Sequence, residues 1–457
     1  MRSPLQSVRL RRILAAYTIN SLGTWFGLVA LLIAVYNHTH DVLAVGALVF
    51  VADALPAFVV HAVVAWVEAS KRRSELTGLY LFEALVTASL AVIFLVHFSL
   101  PAVLLLAALD GTAALTGSAL LRAEIAHAAR EHVEAQMGPP SGLGSAAERA
   151  AAVALVEEQA HEAERKAHAA RNVAFSLTFV LGPALGGVLV AAAGVPAALF
   201  VDVGSFLICG ALLLDLHPHV EEAGGDSVRA RLLSAWRHIN EAPSLKGLLL
   251  AEAVALVFFE TGAPIEVTYV EGTLHAGSSG LGLLLAAWGS GAVLGSLVFA
   301  RLIRRSLSRM LSVGTVAIGL AYVGFAIAPS LALACVAALV GGVGNGLQMP
   351  SLVSVVQRLT PQHLQGRMMG AVESLGALCR AIGLPLGAVL VALSSPRTAF
   401  TIAGLGAVAT TAALLRLSSA PPRSGPQDDA SVSVAPRPDA EDVAGASVME
   451  TPTSAHA

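Results

Sequence analysis

The chain is poor in charge and nearly free of cysteine. Only 13% of its 457 residues are Asp, Glu, Lys or Arg, whereas 56% are hydrophobic. Mean hydropathy is +0.73, well outside the range of water-soluble domains. The three cysteines, Cys209, Cys335 and Cys379, lie singly within apolar stretches, which argues against a disulfide framework and a cysteine-based metal site. No nucleotide-binding loop and no nucleophile–His–acid arrangement is convincing, so neither an enzyme nor an ATP-driven pump is expected. No cofactor and no resident metal are expected either. A net charge of −3 points to no nucleic-acid partner, because the charge is segregated along the chain.

The informative absence is positional. Gaps at Asn37–Asp41, His97–Pro101, Gly194–Pro196, Glu271–Ser279 and Ala328–Ser330 contain no Lys or Arg. The gaps between them hold nearly all of the basic residues, beginning with Arg9, Arg11 and Arg12 and then Lys71, Arg72 and Arg73. Basic residues stay on the cytoplasmic side during insertion, so this alternation assigns both spans and sidedness. A span needs about 20 residues. The expected spans are 13–36, 42–66, 76–98, 101–122, 171–193, 197–216, 247–270, 280–303, 309–329, 331–356, 368–393 and 398–416. The fold class is therefore an all-α membrane protein of twelve spans with both termini cytoplasmic. The segment Ile13–Tyr36 is too long for a cleaved leader and reads as a retained first helix. Arg397 in an outer gap and Arg380 inside a stretch are the exceptions.

Two basic gaps are long. One, 123–170, holds Gly138-Pro-Pro-Ser-Gly142 and then a polar helical stretch, Ala146–Ala170. The other, 217–246, reads as a linker between a six-helix half at 13–216 and another at 247–416. Residues 1–12 form a short cytoplasmic segment, and the Pro/Ser/Asp-rich tail 417–457 is expected to be disordered. The halves repeat: Leu185-Gly-Gly-Val-Leu-Val-Ala191 parallels Leu386-Gly-Ala-Val-Leu-Val-Ala392. Internal repetition around a midplane site is a route to alternating access.

At this point the chain resembles the major facilitator superfamily over residues 13–416. Gly182-Pro-Ala-Leu-Gly-Gly187 is similar to the core of that family's antiporter motif, with Thr178 where a glycine is usual. Ser21-Leu-Gly-Thr-Trp25, Asp202-Val-Gly-Ser-Phe206 and Gln357-Arg-Leu-Thr-Pro361 resemble its macrolide and siderophore exporter branch. The resemblance implies a gating or packing role for Gly182, Pro183, Gly186 and Gly187. It also implies a cytoplasmic latch after the second span, kept here as Glu68 with Lys71, Arg72 and Arg73 but without the usual aspartate and leading glycine. The arginine that many proton antiporters carry in the fourth span is absent.

Ionisable groups at membrane depth are costly, so each is a candidate site residue. Asp53, Asp110, Glu260 and Arg380 fall near the midplane, and Glu373 shares a helix face with Arg380. The resemblance places the first, fourth, seventh and tenth spans around the substrate. That selects Asp110 and Glu260 for proton coupling, with Asn20, Thr24, Trp25, Asn345 and Gln348 lining the cavity. Glu83, Glu252 and Asp215 lie near the inner ends and are expected to snorkel. Asp202 and Glu266 are assigned to packing or outer gating. Gly341-Gly-Val-Gly-Asn-Gly346 reads as close helix packing rather than a phosphate cradle. His161, Glu164 and His168 read as a solvated helix face.

The expected function is export of a small amphipathic compound across the cytoplasmic membrane by alternating access, with protons as the coupling ion and a monomer as the working unit. Import or lipid movement by the same fold, and a non-transporting scaffold or sensor, are the alternatives.

Overall fold

The computed structural model describes residues 7–60, 75–137, 145–214, 228–302 and 306–419. Met1–Leu417 form one compact unit. Ser418–Ala457 form a second, of which only Ser418 and Ser419 are described, at the end of the last helix. Among the described residues the secondary structure is helical throughout, as the scarcity of polar backbone partners in lipid demands.

The helices are α1 (Val8–Thr39), α2 (Val42–Val60), α3 (Glu75–Val96), α4 (Leu100–Met137), α5 (Ala146–Leu212), α6 (Val228–Glu241), α7 (Pro243–Thr273), α8 (Gly277–Leu302), α9 (Leu307–Ile327), α10 (Leu331–Leu359), α11 (Gln365–Leu393) and α12 (Pro396–Ser419). Ten of them are long and apolar enough to cross a membrane. Ser7 and Asp41 cap the first two, each side chain accepting a backbone N–H of the opening turn.

At 67 residues, α5 would be about 100 Å long if straight, far more than one crossing. It breaks at Gly194, whose φ of 82° is open to glycine and strained for other residues. Contacts along α1 show that the two parts run in opposite directions. Tyr17, Trp25 and Phe26 meet Arg171, Gly182 and Gly186 in turn. Arg12, Ala16, Gly23 and Gly27 meet Leu212, Cys209, Ser205 and Asp202. The numbers rise together in the first series and oppose in the second, so the chain reverses at Gly194.

Three features add to the sequence reading. In the long gap 123–170 the expected helix at Ala146–Ala170 is present as the start of α5, and α4 in addition continues fifteen residues past 122. The two extensions pair through Arg130, which reaches Glu164 at 3.1 Å and Glu157 at 3.3 Å, and over apolar Ile125, Ala129, Val133, Ala163 and Ala167. Second, the linker 217–246 contains helix α6, with Ala235 buried and Trp236 exposed. Third, Arg397 is no stray charge, because its guanidinium donates to the Ala326 and Ala328 carbonyls at 3.1 and 3.0 Å and so satisfies the open end of α9. Residues 61–74, 215–227 and 420–457 lie outside the described residues, and with them Glu68, Lys71, Arg72, Arg73, Asp215 and most of the tail.

The core is divided unevenly. One large apolar cluster joins both halves and holds Val29–Ile33 and Val35 of α1, Val45 and Leu48 of α2, Ile265, Val267, Tyr269 and Val270 of α7, Trp288 of α8 and Leu384 of α11. These lie toward the ends opposite the basic gaps. Toward the basic end, two separate clusters replace it. One belongs to the first half, around Ile13, Tyr80, Leu121 and Phe206. The other belongs to the second, around Leu249, Leu311, Val356 and Met368. The halves therefore share a core at one end and part at the other.

Candidate functional site

Where the shared core gives way, α2, α7 and α11 bring three charges together. Helix α11 places the Arg380 guanidinium 3.3 Å from the Asp53 carboxylate of α2 and 3.9 Å from that of Glu260 on α7. The first of these crosses between halves. Arg380 Nε makes no aligned hydrogen bond, so the contact is a charge pair rather than a directed bond. The Asp53 side chain is 49% exposed although it lies mid-helix, whereas that of Glu260 is 15% exposed. Asp53 sits in a π-turn, Phe50–Ala54, the kind of helix defect that collects at functional positions. Gly383 lets α11 close on α7, since a Cβ there would stand 2.6 Å from the Glu260 Cβ. Glu373 is exposed on α11.

The remaining sequence candidates divide into two groups. Asp110 accepts a hydrogen bond from Thr87 at 3.1 Å and is partly exposed. Thr24 is exposed, its hydroxyl spent on the Asn20 carbonyl at 2.9 Å. Asn20 Oδ1 is buried without a partner. Trp25 packs edge-on to Phe179 at 5.3 Å and covers Gly182, so its ring is engaged within the first half. Gly186 faces the α1 backbone at Phe26. Gly187 meets α8 of the other half, where an added Cβ would come within 2.6 Å of the Ser278 carbonyl and 3.0 Å of Gly282 Cα. The Pro183 carbonyl faces the same Gly282. The glycine motif thus joins α5 to α1 on one side and to α8 on the other.

In the second half Asn345 is partly exposed. Its flanking glycines lie against neighbouring backbone, Gly342 against the Trp288 carbonyl and Gly346 against that of Ala292. Gln348 is buried and donates to Glu252 at 2.9 Å and to Thr315 at 3.0 Å. Glu252 therefore does not snorkel. It is anchored across α7, α9 and α10, and Thr315 also donates to it at 3.4 Å. Depth along a span was readable from the sequence, but the partner 96 residues away was not. Glu83 does not snorkel either, being 0% exposed.

Next to the Glu252–Gln348 pair lies a cavity of about 740 Å³ lined by Leu233, Trp236 and Ile239 of α6, Lys246, Leu250 and Ala253 of α7, and Leu375 and Leu378 of α11. Its wall is almost entirely apolar, with Lys246 at the edge. Leu249, Ala253, Val372 and Leu375 line both this cavity and the small space beside Glu252. Such a volume and lining suit a drug-sized amphipathic molecule. Nothing in the isolated sequence marks this cavity, because Leu233, Trp236, Ile239 and Lys246 come from a segment read as linker. Among the described residues no group of His, Cys, Asp and Glu converges to hold a metal ion.

Comparisons with known proteins bear on the family and the fold. The sequence profile of a family described as transmembrane secretion effector matches residues 136–375, a little over half of the chain. The multidrug efflux pump Tap of Mycolicibacterium fortuitum is 29% identical over 49% of the chain and 55% of its own length. The enterobactin exporter EntS of Salmonella choleraesuis is 27% identical over 59% of the chain and 64% of its own length. The matches thus span little more than half of these relatives. Among solved structures, the nucleoside transporter NupG superposes with a TM-score of 0.66 at 12% identity, covering 90% of the chain and 100% of that protein. A bacterial homologue of the iron transporter ferroportin, in an inward-facing state, superposes with a TM-score of 0.62 at 15% identity over 90% and 100%. At such identities these two establish the fold alone.

Proposed function

Because the chain belongs to the transmembrane secretion effector family of the major facilitator superfamily, we propose that it exports small amphipathic organic compounds across the cytoplasmic membrane by alternating access. Protons are the counter-ion, and the working unit is a monomer. Residues 13–216 and 247–416 act as the two moving halves, with both termini and the basic gaps inside. That the relatives Tap and EntS are an efflux pump and an exporter supports the outward direction.

The observation that carries this reading is the Arg380–Asp53–Glu260 cluster at the apex of the space between the halves. On the proposed sidedness, the shared core is the closed outer gate and the two separate clusters border an opening to the cytoplasm. Arg380 then holds α2 and α11 together just beneath that gate. Protonating Asp53 or Glu260, or placing a cationic substrate beside them, weakens the pull on Arg380 and biases the halves toward the other state. A ligand shifts such an equilibrium only by its differential affinity for the two states, and this charge set provides the difference. The apolar cavity between α6, α7 and α11 supplies the surface for the substrate's apolar part.

Everted membrane vesicles test the proposal directly. Acidifying their lumen should drive uptake of an amphipathic dye, and Glu260→Gln should abolish the dependence on the pH gradient. No gradient-dependent uptake across a broad panel of compounds, with the protein well expressed, would sink it.

A further inference from the structure

The first half encloses a second set of acids, Glu83, Asp110 and Asp202, none of which pairs with Arg380; of the three, only Asp110 was a candidate for proton coupling. Helix α3 runs against the returning part of α5 in a fixed register. Thr77 donates to the Gly210 carbonyl at 3.3 Å, and Tyr80 stacks on Phe206 at 6.4 Å between ring centroids. Three residues along α3 thus correspond to four back along α5, which brings Glu83 level with Asp202. One turn further along α3, Thr87 holds Asp110 of α4. The three carboxylates are close enough to act on one another electrostatically.

Their surroundings are built to hold them. Asp202, 3% exposed, occupies a notch in α1 made by Gly23 and Gly27. A Cβ on either glycine would come within 2.4 Å of the Asp202 carboxylate. Ser205 donates to Asp202 at 3.2 Å and Thr87 to Asp110 at 3.1 Å, whereas both oxygens of Glu83 are buried with no partner at all. Facing Glu83 are Asp110 from α4, Asp202 and Cys209 from α5, and Tyr80 of its own helix. Behind Cys209 lies the α1 backbone at Asn20, whose side-chain Oδ1 is buried with no partner of its own. Cys209 donates instead to the Ala16 carbonyl at 3.2 Å. Among these groups there is no cation, and an unpaired carboxylate in such a place costs far more than a carboxylic acid.

We propose that Glu83 holds an exchangeable proton, passed to and from the partly exposed Asp110, so that the first half carries a proton site separate from the Asp53–Arg380–Glu260 cluster. The step is a transfer between carboxyl oxygens: an O–H bond breaks at one carboxylic acid as another forms on the neighbouring carboxylate, and net charge is conserved. Among the described residues no three His, Cys, Asp or Glu side chains converge to hold a metal ion, whereas a proton needs only one carboxyl oxygen. A sealed acid with one partly exposed neighbour can load only through that neighbour, which makes Asp110 the entrance. The site's role in coupling rests on the proton-driven reading above, but its occupancy does not.

The test therefore begins without substrate. Purified protein in lipid nanodiscs is titrated by infrared difference spectroscopy of the carboxyl C=O stretch. A protonated carboxyl signal at neutral pH is expected, lost in Glu83→Gln and moved in Glu83→Asp. Asp110→Asn should retain it while slowing its hydrogen–deuterium exchange. A signal unchanged in Glu83→Gln, or none in the native chain, overturns the proposal. Glu83→Gln should unfold at or above the native temperature, and Glu83→Asp serves if it does not fold. Ethidium transport in proteoliposomes then separates the two ideas. Gradient-driven accumulation lost in Glu83→Gln, with downhill exchange kept, supports both. If the native chain shows no gradient dependence but the infrared signal still requires Glu83, the proton site stands and proton-driven export falls.

Discussion

Arg380 on α11 and Asp53 on α2 hold opposite charges 3.3 Å apart across the boundary between the halves. Both side chains are one-third or more exposed, so the pair is screened and is worth at most about 1 kcal/mol. That is small for folding yet changes a two-state population several-fold. Asp53→Asn should therefore leave expression and thermal stability nearly unchanged while shifting the protein toward the state open at the opposite end. Labelling of single cysteines near Val29 and near Leu249, in a background lacking the native three, would read the shift. Equal labelling at both positions with and without the substitution would refute it. The exchanged pair Asp53→Arg with Arg380→Asp should restore the native ratio.

The approach of α5 to α8 yields a prediction of the opposite kind, large and steric. Gly187 has the Ser278 carbonyl and Gly282 Cα where a side chain would go. Gly187→Val must push the halves apart, at about 1–3 kcal/mol for an overpacked site. Because the contact joins the halves, the strain is relieved by separating them. Transport should be lost while the protein remains folded, and distances between spin labels on α5 and α8 should lengthen. Native distances with lost transport would assign the glycine another role.

Charge and hydropathy alone locate the membrane helices well, because insertion itself reads those quantities. Alternating basic gaps also exposed Arg380 as an ion needing a partner, but they could not name Asp53, 327 positions earlier in the chain. Distance along a span gave the depth of Glu83 and Glu252 and suggested that both reach for water. Helix facing decides otherwise, and facing depends on which helices pack together. The notch for Asp202 is the clearest case: Gly23 and Gly27 read as ordinary small residues until the returning part of α5 is laid against α1. The extension of α4 past residue 122 was missed for a different reason. Its polar Ala/Glu/Arg composition ends the hydrophobic signal without ending the helix.

That extension provides a test of stability rather than transport. Arg130 joins α4 to Glu157 and Glu164 of α5, with the Glu164 side chain 23% exposed and the Glu157 side chain 52% exposed. Arg130→Ala should loosen the paired helices by about 1 kcal/mol or less. It should speed hydrogen exchange at Ala160–Ala167 and leave the spans unchanged. Raising salt should mimic it. Uniform exchange with and without the substitution would show that apolar contacts such as Ala129 and Ala163 suffice.

The Glu252–Gln348–Thr315 network separates packing from chemistry in the second half. Gln348→Leu preserves volume but removes the stronger of the two donors to a carboxylate that is 6% exposed. Leaving a buried acceptor unsatisfied costs about 1–3 kcal/mol, so the unfolding midpoint in detergent should fall. Glu252→Gln, which neutralises the charge and can still bond to Thr315, should cost less. Combining the two substitutions should recover much of the loss, because no carboxylate then remains to be satisfied. Leu249, Ala253, Val372 and Leu375 form the wall between this network and the large apolar cavity. Ala253→Trp should therefore fill the cavity without touching the hydrogen bonds. Its expected signature is selective: bulky amphipathic compounds accumulate in cells carrying the variant while small ones are still cleared. Equal loss for both sizes would mean that the cavity serves folding or gating, and would remove it from the substrate's path.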